Sequence, residues 1–229
     1  MSFEDNENFY ILDEEKENNI DKSPRNFASY EEGEETDEEE IEGKANQSTW
    51  IALLFKIMFN PVEGWKSLRR NKKGIESLQS GCFYPLLALL AMSKFADYFY
   101  SVNIGLSQLV TEAVIAFVSF FFAQFCVPMI LTWVFPKEFG KHVDSKFGKE
   151  YIIVALSTLT LFSIIINILP MIWPILIFLP IWTLYIMFKA VRFFQLDNKV
   201  EMKFFVISGA SVIGVPLLIE WGLNSILNL

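Results

Sequence analysis

The sequence predicts an all-α fold: a polytopic transmembrane bundle of five spans, preceded by interfacial amphipathic helices and a disordered acidic tail. Three observations predict it. Of the 229 residues, 52% are apolar and 16% aromatic, including 23 Phe and 6 Trp. Phe and Trp suit lipid contact and the headgroup boundary. Five apolar stretches follow one another after residue 80, each close to the ~20 residues that a helix needs to cross hydrocarbon. Lys and Arg then fall only in alternate connections between those stretches, as the positive-inside rule requires of a threaded chain.

The net charge of −8 averages two unlike segments. Residues 1–43 carry seventeen acids against three bases, a net of −14, and the remainder carries ten acids against sixteen bases, a net of +6. The acid belongs to a tail, residues 1–47, whose run from Glu31 to Glu42 is almost continuous carboxylate around Gly33. Such a segment buries too little apolar surface to offset its ordering entropy and is expected to stay disordered. Its acids lack the ligand order of a calcium-binding loop. The patch Phe9, Tyr10, Ile11 and Leu12 would suit docking to a partner, against the blander reading of stray apolar residues in a solvated tail. The acidic start lacks the basic and apolar regions of a signal peptide, so the tail is expected to remain on the mature protein.

Residues 48–80 read as interfacial or basic amphipathic helices. Trp50, Leu53, Leu54, Ile57 and Met58 recur at helical spacing and stop at Asn60-Pro61. That run is too short to span and fits a helix lying among headgroups. Asn60, Pro61 and Glu63 supply a cap, a first position and a first-turn acid for a second helix. The second helix sets Trp65 among Lys66, Arg69, Arg70, Lys72 and Lys73. These six residues are the predicted lipid-headgroup contact. A plain topogenic basic flank accounts for the bases equally well.

Residues 81–229 form the predicted bundle, with spans at about 82–102, 108–134, 151–169, 171–188 and 204–226. Between Tyr151 and Phe188 there is no charged residue. A single helix there would be about 57 Å long, nearly twice the hydrocarbon core. Pro170 and Pro174 divide it, and Pro180 is expected to kink the fourth span; a re-entrant hairpin is the alternative. Before the first span lie Lys66, Arg69, Arg70, Lys72 and Lys73; the next basic connections hold Lys137, Lys141, Lys146 and Lys149, then Lys189, Arg192, Lys199 and Lys203. The intervening connections and the carboxy terminus hold no base. The amino terminus is therefore expected in the cytoplasm and the carboxy terminus outside.

The order of these features resembles the Ypt-interacting-protein (Yip) domain family. Phe59-Asn60-Pro61 leads to Gly64-Trp65, and five spans follow with a short outer hairpin. Within them, Pro170-Met171-Ile172-Trp173-Pro174 leads to Leu179-Pro180-Ile181-Trp182. The resemblance covers about residues 50–226, in a form like the bacterial members, which would place the chain in a bacterial inner membrane. It implies an integral membrane protein without catalytic residues. For the eukaryotic members it implies binding of Rab-type GTPases and a part in early secretory traffic.

Four ionisable residues fall inside spans: Lys94, Asp97, Glu112 and Glu220. Intramembrane charges normally face a bundle interior or a water-filled cavity. The topology brings them towards one side of the membrane, so they are expected to form one polar cluster that binds a cation or passes protons. A buried polar clasp between spans is the plainer reading. Gln124 and Asn167 are expected to bond to neighbouring helices. Gly209, Ala210 and Gly214 form a small-residue stripe for close packing, and would also serve homo-oligomerisation. Cys82 and Cys126 show neither disulfide nor metal spacing and read as small buried hydrophobes. His142 reads as a solvated loop residue.

No metal-ligand spacing, nucleophile–base pair or phosphate-binding Gly loop is visible, so no enzyme activity and no cofactor are expected. The partners expected are membrane lipids and a cytoplasmic protein met through the tail or the basic loops, with no nucleic acid. The function expected is a scaffold or adaptor. The alternative is a small transporter or channel that uses the intramembrane charges.

Overall fold

The computed structural model describes residues 50–70, 74–100, 105–134, 139–170, 178–194, 196 and 198–227. The acidic tail, Lys72, Lys73 and the Pro174 turn lie outside the described residues. Every regular element described is helical. Helix α1 spans Trp50–Phe59 and α2 spans Pro61–Arg70. Asn60 caps α2, its Oδ1 accepting from the Glu63 N–H at 3.4 Å, with Pro61 in the first turn and Arg69 and Arg70 in the last.

Four helices are long and apolar enough to cross a membrane. Helix α3 is Ile75–Tyr100, α4 is Leu106–Val134, α5 is Lys146–Ile168, and the last is Asn198–Leu227. Between the last two lies α6, Leu179–Val191, an apolar helix of 13 residues that is too short to span by itself. The final helix is thus α7. Residues 171–177 of the expected fourth span lie outside the described residues.

Three of the long helices start before the expected spans. Helices α3, α5 and α7 begin at Ile75, Lys146 and Asn198, several residues before the apolar runs. Hydropathy delimits contact with lipid, whereas a helix starts at its cap. Ser145 shows this: its Oγ accepts from the Gly148 N–H at 3.0 Å and starts α5 inside what reads as a polar connection. In α3 a π turn at Gln79–Phe83 widens the helix just before Pro85, which has no N–H to donate, and a 3₁₀ turn at Lys94–Ala96 tightens it near its far end.

Helix α5 is the centre. Of its apolar window 67% is buried, against 33–44% for α3, α4 and α7, and it touches α3, α4, α6 and α7. Neighbouring helices are joined by amides and hydroxyls, as expected for Gln124 and Asn167. Gln79 Nε2 donates to Gln124 Oε1 at 3.3 Å, and Asn167 Nδ2 to Ser93 Oγ at 2.9 Å. Tyr151 and Ser208 share a bond of 2.9 Å. Cys82 is buried and free, whereas Cys126 is only half-buried.

Helices α1 and α2 form a hairpin docked on the bundle. Trp50, Leu54, Ile57, Trp65 and Leu68 all belong to the core. Gly64 permits the fold: a Cβ there would sit 2.5 Å from the Ile57 Cα. Three bonds attach the hairpin to α6 and the turn after it: Trp182 Nε1 to Met58 O at 3.2 Å, Trp65 Nε1 to Ile186 O at 3.1 Å, and an Arg69 guanidinium N–H to Phe193 O at 3.4 Å.

Trp65 is therefore no headgroup contact. It is fully buried, its ring against Phe147 and Tyr151 at centroid distances of 6.0 and 5.9 Å. The apolar face of α2 meets protein, because α5 and α6 offer it a better-packed surface. His142 is corrected too: it lies half-buried in a helical turn, Lys141–Val143, its ring nearly perpendicular to that of Phe194.

Candidate functional site: a polar cavity among three helices

The alternation of helix directions brings the end of α3, the start of α4 and the end of α7 together, at the end of the bundle away from α2. A cavity of about 150 Å³ opens there, lined by Lys94, Gln108, Glu112, Ile115, Glu220 and Asn224. Lys94 comes from the 3₁₀ turn of α3. Gln108 and Glu112 stand one turn apart on α4, and Gln108 Nε2 donates to Glu112 Oε1 at 3.1 Å. Glu220 and Asn224 are likewise one turn apart on α7, which packs along α4.

Three of the four ionisable residues expected to cluster, Lys94, Glu112 and Glu220, thus share one cavity wall. Asp97 does not. It begins the next turn of α3, half-buried, and is not among the lining residues. A 3₁₀ turn keeps side chains three apart in line, so Asp97 sits about 6 Å further along α3 towards its end, past the residues that line the cavity.

Among the described residues no ion pair joins Lys94 to either glutamate. The cavity thus presents side chains of both charge signs that make no direct ion pair with one another. Gln108 and Asn224 escape a search for charges, yet each is legible as the i±4 neighbour of an intramembrane glutamate. No group of three His, Cys, Asp or Glu able to hold a metal occurs among the described residues.

The other end of the bundle is basic. Lys66, Arg69 and Arg70 are exposed on α2, beside Lys189 over the Tyr185 ring at 5.2 Å and Arg192 over the Phe188 ring at 5.3 Å. Beneath them lies an aromatic cluster of Phe139, Phe147, Tyr151, Phe194 and Phe204, which Trp65 seals. Glu150 is the polar residue that the sequence hides. It lies in α5, 2% exposed, with Lys146 Nζ 3.6 Å away and Oε1 without a hydrogen bond. The cap at Ser145 was its available signal, since it sets Glu150 in a helix instead of a loop.

A third feature is an apolar groove of about 390 Å³ between α6 and α7, lined by Leu184, Phe205, Val206, Gly209, Ala210, Ile213 and Gly214. A Cβ on Gly209 would meet Leu184 Cδ2 at 2.7 Å, so Gly209 serves close packing inside the chain. Gly214 faces open space.

The family model described as the Yip1 domain matches residues 55–221. The match does not distinguish the bacterial form of the resemblance. Neither curated proteins nor solved structures gave a match.

Proposed function

Since the chain belongs to the Yip1-domain family, we propose that this multi-pass integral membrane protein is a non-enzymatic scaffold or adaptor that recruits a cytoplasmic partner. The observation that carries this reading is the docked hairpin. Trp65 fixes α2 to the bundle, and Lys66, Arg69 and Arg70 are left facing outward beside Lys189 and Arg192. A rigid cationic rim of this kind attracts acidic protein segments and anionic headgroups, at about 1 kcal/mol per base near a charged surface.

In this reading the chain crosses the membrane five times, the basic end and the tail face the cytoplasm, and the carboxy terminus lies outside. Support comes from the alternation of basic and non-basic connections. The test is a pull-down from detergent with the full chain and with residues 1–47 deleted, and with Lys66, Arg69 and Arg70 changed together to Gln. Partner capture that depends on the tail or the rim supports the adaptor. Capture indifferent to both removes it.

A second reading, a small transporter or channel, is favoured by the mixed-charge cavity among α3, α4 and α7. Lys94→Met in proteoliposomes separates the two. Altered ion flux from a folded variant favours transport; unchanged flux favours the adaptor.

A further inference from the structure

We propose that the cavity of Lys94, Glu112 and Glu220 binds a small zwitterion, a primary ammonium joined to a phosphate, as carried by ethanolamine phospholipids. The inference rests on the membrane-spanning bundle and not on the adaptor role.

Depth is the first argument. Helix α4 has 29 residues and is about 44 Å long, so centring it on a ~30 Å hydrocarbon core leaves about 7 Å beyond the core at each end. Glu112 lies six residues into α4 from Leu106, Lys94 six residues before the end of α3 at Tyr100, and Glu220 seven before the end of α7 at Leu227. That is about 9–11 Å from each helix end. The cavity therefore sits at the headgroup boundary, within reach of a lipid's polar end. Tyr98, Phe99 and Trp221, 64%, 83% and 72% exposed, stand at the same level, where aromatic belts form.

Charge and size are the second argument. The two carboxylates attract a cation, and Lys94 attracts an anion. A molecule bearing both signs satisfies the whole wall, its ammonium between Glu112 and Glu220 and its phosphate on Lys94. A volume of about 150 Å³ is well above the ~10–15 Å³ that a single water needs, so the cavity has room for more than one dehydrated ion and for a small polar headgroup. Chemistry also selects the amine. A primary ammonium donates three hydrogen bonds, which Glu112, Glu220 and the Asn224 carbonyl oxygen can accept. A trimethylammonium donates none and is recognised by aromatic faces; the lining holds no aromatic ring.

The experiment uses the full chain in nanodiscs. Thermal unfolding and native mass spectrometry of retained lipid are compared for phosphatidylcholine alone, phosphatidylcholine with phosphatidylethanolamine, and phosphatidylcholine with phosphatidylglycerol. The expected result is a raised unfolding midpoint and retained lipid with the ethanolamine lipid only. Glu112→Gln with Glu220→Gln should weaken that retention about tenfold or more, the loss expected for charge-assisted hydrogen bonds. Lys94→Met is the second variant should the double change misfold, and it too should lose the preference. Soluble phosphoethanolamine added to choline-lipid discs separates the sources: a shift shows that the headgroup suffices, and no shift beside a lipid effect shows that the acyl chains belong to the site. Equal shifts from all three lipids, retention unchanged in both variants, or a shift produced by sodium alone would overturn the proposal. Tail-dependent partner capture is read separately, so loss of the lipid effect leaves the adaptor reading standing.

Discussion

Trp65 donates its indole N–H to the carbonyl oxygen of Ile186, 121 residues away in the chain, at 3.1 Å. One side chain thus ties the segment before the bundle to its short fourth apolar helix. Burial of the whole ring makes it a structural anchor. Trp65→Ala is expected to cost about 3–5 kcal/mol, as for a large ring removed from a packed core. Trp65→Phe should recover much of that but not the hydrogen bond. Unfolding in detergent measures both. A Trp65→Ala variant as stable as the parent would return the residue to the membrane surface.

Two glycines should behave oppositely. Gly64→Ala forces a methyl group against the Ile57 backbone, and overpacking of this kind costs about 1–3 kcal/mol or more. A cysteine pair placed across the α1–α2 turn should then cross-link more slowly. Gly214→Ala meets nothing within 4 Å and should leave stability unchanged or slightly raised, because Ala favours helix. Loss of a dimer in that variant alone would reveal a role for the groove between copies.

Interhelical amides set a smaller scale. Asn167→Leu removes the bond to Ser93, and polar bonds between membrane helices contribute about 0.6 kcal/mol on average. The expected loss is about 0.5–1.5 kcal/mol, read as a modest fall in detergent unfolding temperature. A much larger loss would mean that Asn167 holds more than Ser93.

Glu150 should behave as a cost to the fold. Its carboxylate is buried, has one oxygen without a hydrogen bond, and faces Lys146 at 3.6 Å, beyond hydrogen-bond reach. Glu150→Gln removes the buried charge and is expected to be neutral or to stabilise by about 1 kcal/mol or more. A marked destabilisation in thermal unfolding would show that the charge contributes to the fold.

Thiol labelling reports the packing of α3 and α4. Cys126 is half-buried and Cys82 is buried. A maleimide in mild detergent should modify Cys126 first and Cys82 only on unfolding. The reverse order would contradict the packing of α3 against α5.

The sequence revealed what depends on transfer free energy. Apolar runs located the four long helices, and Asn60-Pro61 located the start of α2, because caps and lipid preference are local properties. It also found Lys94, Glu112 and Glu220, since a charge within an apolar run needs no neighbour to be conspicuous. What stayed hidden depends on three-dimensional neighbours. Trp65 among bases reads as a surface anchor until Phe147 and Tyr151 are seen around it. Asp97 stands outside the cavity although it is only three residues from Lys94, because the cavity ends a turn short of it, which spacing alone does not announce. Glu150 reads as part of a connection because its burial arises from other helices.

The three bonds that pair Met58, Trp65 and Arg69 with Trp182, Ile186 and Phe193 keep nearly constant register, 124, 121 and 124 residues apart. Advancing eleven residues along one segment advances eleven along the other, so the two run side by side as splinted rods. A change that displaces the α1–α2 hairpin would therefore have to break three bonds spread along α6 and the turn after it, so the two segments are expected to come away from the bundle together and not one at a time.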